Sequence, residues 1–216
     1  MLLTKKSAFE NSSECCSQSL AYIPPSRTGI PEYDQLRSEI EGLVGSINGR
    51  FTQAGWVPIH YLFRRLDRQE LVAFYRLASI ALVTPLKDGM NLIAMEYCAS
   101  NVDESGVLVL SEFAGAARRL GRYALLVNPY DTDGVAEAIH QASAMGWEER
   151  QNRMRRLRAA VRRRDIYWWV KTFLAAALAE DLDAVPHLTG FDPLNVGLGS
   201  RPAGWMRRSD EYQQAP

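Results

Sequence analysis

The sequence is short of several things, and each shortage removes a class of protein. Of 216 residues three are Cys, with Cys15 and Cys16 adjacent in a Ser-rich leader and Cys98 inside an apolar helical pattern. An odd, unspaced set supports neither a disulfide framework nor a zinc site, and a reducing cytoplasm is the expected compartment. Histidine is as sparse: His60, His140 and His187 form no ligand spacing, so no metal centre is expected. Neither sign of charge is in excess, the formal net charge being +0, so nothing global draws the chain to nucleic acid. No apolar stretch approaches the roughly 20 residues of a membrane span. Met1-Leu-Leu-Thr-Lys-Lys is not followed by the apolar core of a signal peptide. Neither Gly-x-Ser-x-Gly nor Ser-x-x-Lys occurs, which leaves no motif for a nucleophilic triad.

What is there reads as an α/β protein. The length allows one well-buried domain, and an apolar content of 47% is ordinary for a globular chain. Residues 79–84, 107–110 and 124–127 are short, continuously apolar runs, which suit a parallel sheet buried on both faces. Residues 57–63 form a further strand, with Pro58 near its start. Helical spacing lies between the strands. Tyr33, Leu36, Ile40, Leu43, Val44 and Ile47 follow Pro31, and Gly49 is the expected C-cap. Asp67 is placed to cap a helix with Leu71, Phe74 and Tyr75 on its apolar face. Further helices are expected over 91–99, 135–145, 147–163 and 166–180. Alternating strands and helices imply βαβ units and a right-handed parallel sheet. Residues 1–20 are polar and patternless and are read as a disordered leader. Residues 181–216, punctuated by Gly and Pro, are read as a disordered tail.

The most informative run extends from Leu82 to Tyr97: Leu-Val-Thr-Pro-Leu-Lys-Asp-Gly-Met-Asn-Leu-Ile-Ala-Met-Glu-Tyr. It is a strand, a loop and a helix start. The first N–H groups of a helix have no intrahelical acceptor and lie at the positive end of the dipole, so they attract anions. Gly89 lets the backbone approach a ligand closely. Ligands of open α/β sheets sit at the carboxyl ends of strands, where this loop falls. A phosphate-sugar or nucleotide site is expected. On spacing alone, Asp88 is as readily a turn or cap residue as a binding group, and Glu96 one turn into the helix also favours the dipole.

The same run carries a resemblance. Together with Gly-Val-Leu-Val-Leu-Ser-Glu-Phe-Ala-Gly-Ala-Ala from Gly106 to Ala117, and Leu-Val-Asn-Pro-Tyr-Asp from Leu126 to Asp131, it resembles the C-terminal part of the trehalose-6-phosphate synthases. Those are retaining glycosyltransferases with two facing Rossmann-like domains (the GT-B type). The match runs from about Tyr22 to Leu178, the last third of a typical member. The resemblance therefore implies an incomplete, Rossmann-like donor-binding domain over 21–180. It implies transfer of glucose from UDP-glucose to glucose 6-phosphate, without metal or other cofactor. Asp88 would hydrogen-bond a hydroxyl of the donor glucose. Backbone N–H groups at Gly89, Met90, Asn91, Leu92 and Ile93 would contact the sugar and pyrophosphate. Glu96 would accept the ribose hydroxyls, a task that suits a carboxylate's several lone pairs. The backbone near Leu66 would read the uracil edge.

Met95 departs from the family, where Lys is usual, and cannot contact phosphate electrostatically. The acceptor site belongs to an N-terminal domain outside the resemblance, so the isolated chain is expected to be inactive. A complementary N-terminal domain or a second copy of the chain is the partner implied, with no nucleic acid and no membrane. A glucosylglycerol-phosphate synthase shares the donor motifs, and a non-catalytic remnant or binding module is the reading outside enzymes. The first strands of the sheet are expected to be absent, leaving an unpaired edge. Ser111 to Ala117 is assigned mainly to packing, with Gly115 also able to keep the floor of the site open, and Leu126 to Asp131 to structure, with Asp131 or Thr132 capping the next helix. The Arg-rich helix over 147–163, with Met154, Leu157 and Val161 as its apolar stripe, is read as a solvated face. Tyr167, Trp168 and Trp169 are read as core anchors.

Overall fold

The computed structural model describes residues 1–7, 16–23 and 30–178. The tail expected over 181–216 lies outside the described residues. Contacts divide the chain into two units, Met1–Asp165 and Ile166–Pro216.

The first unit is built on one six-stranded sheet. Its strands are β1 (Leu2–Ser7), β2 (Cys16–Tyr22), β3 (Ile59–Leu62), β4 (Ile80–Val83), β5 (Val107–Ser111) and β6 (Leu125–Val127). They lie in the order β3-β2-β1-β4-β5-β6, the order of the doubly wound dinucleotide-binding fold. Neighbours are parallel except at β1, which runs antiparallel to both β2 and β4. The sheet is therefore mixed, not wholly parallel as expected. A parallel pair needs a long crossover. β1 is instead joined to β2 through the short segment 8–15, and its strand direction reverses accordingly.

The same strands correct the expected disordered leader for residues 2–7 and 16–20. Leu2 pairs with Ala21 and Leu82, and Leu3 with Leu20 and Ala81. Leu3 and Tyr22 are buried. Pairing with β4, distant in sequence, orders a stretch whose local pattern is weak. It also fills the position between β2 and β4, so the open edge expected from absent strands does not occur there.

The helices are α1 (Pro31–Phe51), α2 (Arg68–Leu77), α3 (Leu92–Ser100), α4 (Ala117–Leu120), α5 (Thr132–Ala144) and α6 (Trp147–Arg163). In β4 and β5 successive side chains enter opposite cores. Ala81, Val83, Leu108 and Leu110 join Tyr75, Ala94, Tyr97, Cys98, Met154 and Leu157 on the side of α2, α3 and α6. Ile80, Val107 and Val109 join Leu125, Val127, Ala138 and Ala142 on the side of α5. Burying Leu108, Val109 and Leu110 almost completely stabilises the fold by roughly 2 kcal/mol each. This doubly covered half gives the loop after β4 a rigid base.

Local chemistry explains several helix ends. Asp67 begins α2 with a capping box: its side chain accepts from Glu70 N, and the Glu70 side chain accepts from Asp67 N. Asp131 caps α5 by accepting from Gly134 N at 2.9 Å. Gly49 does not end α1, which runs on to Phe51. The turn that follows uses Gly55, whose φ of 79° suits glycine. α1 buries none of its residues, and Tyr33, Leu36, Leu43 and Ile47 are exposed. Its apolar stripe does not face a core in this unit.

The Arg-rich helix is only partly a solvated face. Arg150 and Arg158 are buried. Arg150 donates to the carbonyls of Ala142, Ser143 and Met145 at the end of α5. Arg158 donates to those of Cys98 and Ala99 at the end of α3. Each guanidinium satisfies orphan carbonyls at a negative dipole end. In the second unit, α7 (Ile166–Leu178) stacks Trp169 on Phe173 with ring centroids 5.2 Å apart.

Candidate functional site

The loop after β4 is held from within by two side chains. Asp88 Oδ1 accepts from the N–H groups of Met90 and Asn91, both at 3.0 Å, and Oδ2 accepts from Asn91 Nδ2 at 2.8 Å. Asn91 is the N-cap of α3, and its Oδ1 accepts from Ala94 N at 2.9 Å. Its backbone is left-handed, with φ 64°, a conformation that Asn tolerates better than most residues. Asn91 is buried; Asp88 is half-buried; Gly89 and Met90 are exposed.

This interlock changes which N–H groups face outward. Those of Met90 and Asn91 are taken by Asp88, and that of Ala94 by Asn91. The groups of Leu92 and Ile93, at the first two helical positions, are left by helix geometry without an intrahelical acceptor. The positive end of α3 therefore opens at the carboxyl end of β4, beside the loop. Asp88 retains lone pairs, since a carboxylate offers about four acceptor sites and the loop uses three.

A second loop braces the first. Gly115 N donates to Asp88 O at 2.7 Å, and Asp88 bridges Ala114 in parallel register. A Cβ at Gly115 would run into the Gly89 carbonyl, whereas one at Gly89 would meet nothing. The close backbone approach thus lies at Gly115 against the loop, and Gly89 leaves open space on its outer side. The run Ser111 to Ala117, expected mainly to pack with Gly115 keeping the floor of the site open, sets the height of the Asp88 loop.

Glu96 lies on the exposed side of α3 and accepts from the buried Tyr75 hydroxyl at 3.2 Å. Met95 points the other way and packs on the main core, which accounts for an apolar residue there. Leu66 lies between β3 and α2, half-buried, also beyond the carboxyl end of its strand. β2 and β1 separate β3 from β4 in the sheet. Nearby, Arg64 grips Glu70 through two contacts of 3.0 and 2.8 Å. That hydrogen-bonded guanidinium, with the Asp67 N–H, holds the Glu70 carboxyl below its ordinary range. Arg64 is thus engaged in its own loop.

Sequence reasoning missed the Asn91–Asp88 lock, the contact of Gly115 with the Gly89 carbonyl, and Tyr75. The first had a signal in the spacing Asp-x-x-Asn before a helix. The other two act from segments distant in sequence. Among the described residues no group of three or more His, Cys, Asp or Glu could hold a metal ion, and no helix is long and apolar enough to cross a membrane.

A family model described as glycosyltransferase family 20 matches residues 17–179. Over 156 residues the chain is 49% identical to a trehalose-6-phosphate synthase of Mycobacterium avium, covering 72% of this chain and 31% of that protein. It resembles the solved structure of a UDP-forming alpha,alpha-trehalose-phosphate synthase from Burkholderia xenovorans in complex with glucose-6-phosphate. That likeness has a TM-score of 0.71 and 43% identity, over 74% of this chain and 36% of that one. A trehalose-6-phosphate structure from E. coli, bound with UDP-2-fluoro glucose, aligns with a TM-score of 0.68 and 43% identity, over 72% and 34% of the two chains. The chain spans about a third of the length of these proteins.

Proposed function

The chain belongs to glycosyltransferase family 20, and from that membership we propose that it carries the donor-binding half of a trehalose-6-phosphate synthase site. The reaction is transfer of glucose from UDP-glucose to glucose 6-phosphate, with the acceptor held by a complementary N-terminal domain. The observation that carries this reading is the loop locked by Asp88 and Asn91 at the start of α3. It presents a preformed anion-binding helix end, with a carboxylate beside it, at the carboxyl end of β4.

Each residue has a part in the reading. Asp88 holds the loop and accepts from a hydroxyl of the donor glucose with its remaining lone pairs. The N–H groups of Leu92 and Ile93 face the diphosphate, and the dipole of α3 stabilises charge that develops there as the glycosidic bond breaks. Gly89, Met90 and Asn91 form the wall against which the sugar lies. Glu96 accepts the ribose hydroxyls, and the backbone of Leu66 faces the base. We place the reaction in the cytoplasm, where a reducing compartment suits the buried, free Cys98. The isolated chain is expected to bind donor without turning it over.

Calorimetric titration of the purified chain with UDP-glucose tests the reading. Saturable binding is expected, weakened by Asp88→Ala and by Glu96→Ala. Supplying the N-terminal domain of a relative is expected to restore product formation. Identical titrations for all three proteins, with no product on complementation, refute the proposal.

A further inference from the structure

Tyr75 stands on α2, outside every segment of the donor loop, and is 1% exposed. A hydroxyl buried that deeply needs a partner. The neighbouring Tyr97 meets this need with a backbone carbonyl, donating to Ala78 O at 3.2 Å. Tyr75 does not. Its hydroxyl donates to Glu96 Oε2, also at 3.2 Å, on a carboxylate whose residue is otherwise exposed. The Tyr75 ring is itself fixed, edge-on to Tyr97 with centroids 6.4 Å apart and planes at 77°. A rigid donor in the core thus holds one oxygen of a flexible surface carboxylate. Burial, with the Glu96 charge beside it, pushes the Tyr75 phenol well above its ordinary pKa, so it remains a donor across the physiological range.

We propose that Tyr75 is a positioning residue: it holds Glu96 in the orientation that accepts the ribose hydroxyls of the nucleotide donor. The inference rests on the ribose role given to Glu96 above. An exposed Glu side chain loses rotamer freedom on binding. Tethering Oε2 in advance removes part of that cost and leaves Oε1 to accept from the ligand. Without the tether Glu96 still presents a charge but must be ordered by the ligand.

The test uses the full chain, calorimetry, and two probes: UDP and 2′,3′-dideoxy-UDP, which lacks the hydroxyls in question. Tyr75→Phe keeps the ring in the core, and thermal melts run beside each titration. The wild type is expected to prefer UDP. Tyr75→Phe should bind UDP about fivefold more weakly, the effect of one modest hydrogen bond, and dideoxy-UDP unchanged. Glu96→Ala should abolish the preference, and adding Tyr75→Phe to it should change nothing further. Equal weakening of both probes by Tyr75→Phe makes its role structural and overturns the proposal. So does an intact preference in Tyr75→Phe beside a lost one in Glu96→Ala. A preference that survives in Glu96→Ala, or a wild type that shows none, overturns the ribose role itself and this inference with it.

Discussion

Replacing Asn91 by Ala should destabilise the protein more than replacing it by Gly, and the difference measures how the donor loop is built. Asn91 does three things at once. It caps α3 through Ala94 N, it donates to Asp88 Oδ2, and it holds φ at 64°. Loss of the cap costs about 1 kcal/mol. Loss of the bond to Asp88 costs about 1 kcal/mol more. A left-handed Ala adds roughly 1 kcal/mol, which Gly escapes. Asn91→Ala should therefore cost about 3 kcal/mol. Gly caps a helix almost as well as Asn, so Asn91→Gly should cost about 1 kcal/mol. For a domain of this size each kcal/mol shifts Tm by about 2–4 °C, so the melts should fall by about 9 °C and about 3 °C. Urea unfolding monitored by circular dichroism, with thermal melts beside it, reads both variants. Both should also lose affinity for UDP-glucose, since each frees Asp88 Oδ2. Equal destabilisation by Ala and Gly would refute the role of backbone conformation, and a tolerated Asn91→Ala would refute the lock altogether.

Two further predictions concern parts that the loop depends on. Gly115→Ala drives a Cβ into the Gly89 carbonyl; it should destabilise by about 1–3 kcal/mol and abolish UDP-glucose binding, whereas Gly89→Ala, which meets nothing, should leave the melt unchanged. Burial pushes the Cys98 thiol up to about 12 from its ordinary 9.0, so the folded state keeps a proton that the unfolded chain loses. The corresponding stability is present below pH 9 and should fall as pH rises towards 12, by up to about 1.4 kcal/mol per pH unit. Urea midpoints across that range should show a shallower fall in Cys98→Ala, and an unchanged slope would refute the assignment.

The helices and strands of the second half of the first unit could be read from local pattern because both sheet faces there are buried. Residues 107–110 are apolar at every position for that reason, and β5 and β6 lie where such runs predict, although Leu126 in the middle of β6 is exposed. Asp67 was legible as a cap, and Asp131 as one of two candidates with Thr132, because capping is a contact between residues three apart. The loop after β4 was legible for the same reason: strand, Asp, Gly, Asn and helix follow one another directly, and the family motif occupies that one stretch. α1 shows the limit of periodicity. Its apolar spacing marks a helix correctly, but the spacing does not say what the stripe faces.

The sequence by itself determined the α/β class and the position of the strand, loop and helix start that carry Asp88 and Glu96, since these are written over short distances along the chain. Tertiary structure alone decided the direction of β1, because strand pairing joins Leu2 and Leu3 to Leu82 and Ala81, far away along the sequence. It alone decided that Arg150 and Arg158 turn inward, because their acceptors are the ends of other helices. And it alone brought Gly115 beneath Gly89 and Tyr75 beneath Glu96, contacts between segments whose separation in sequence carries no periodic signal.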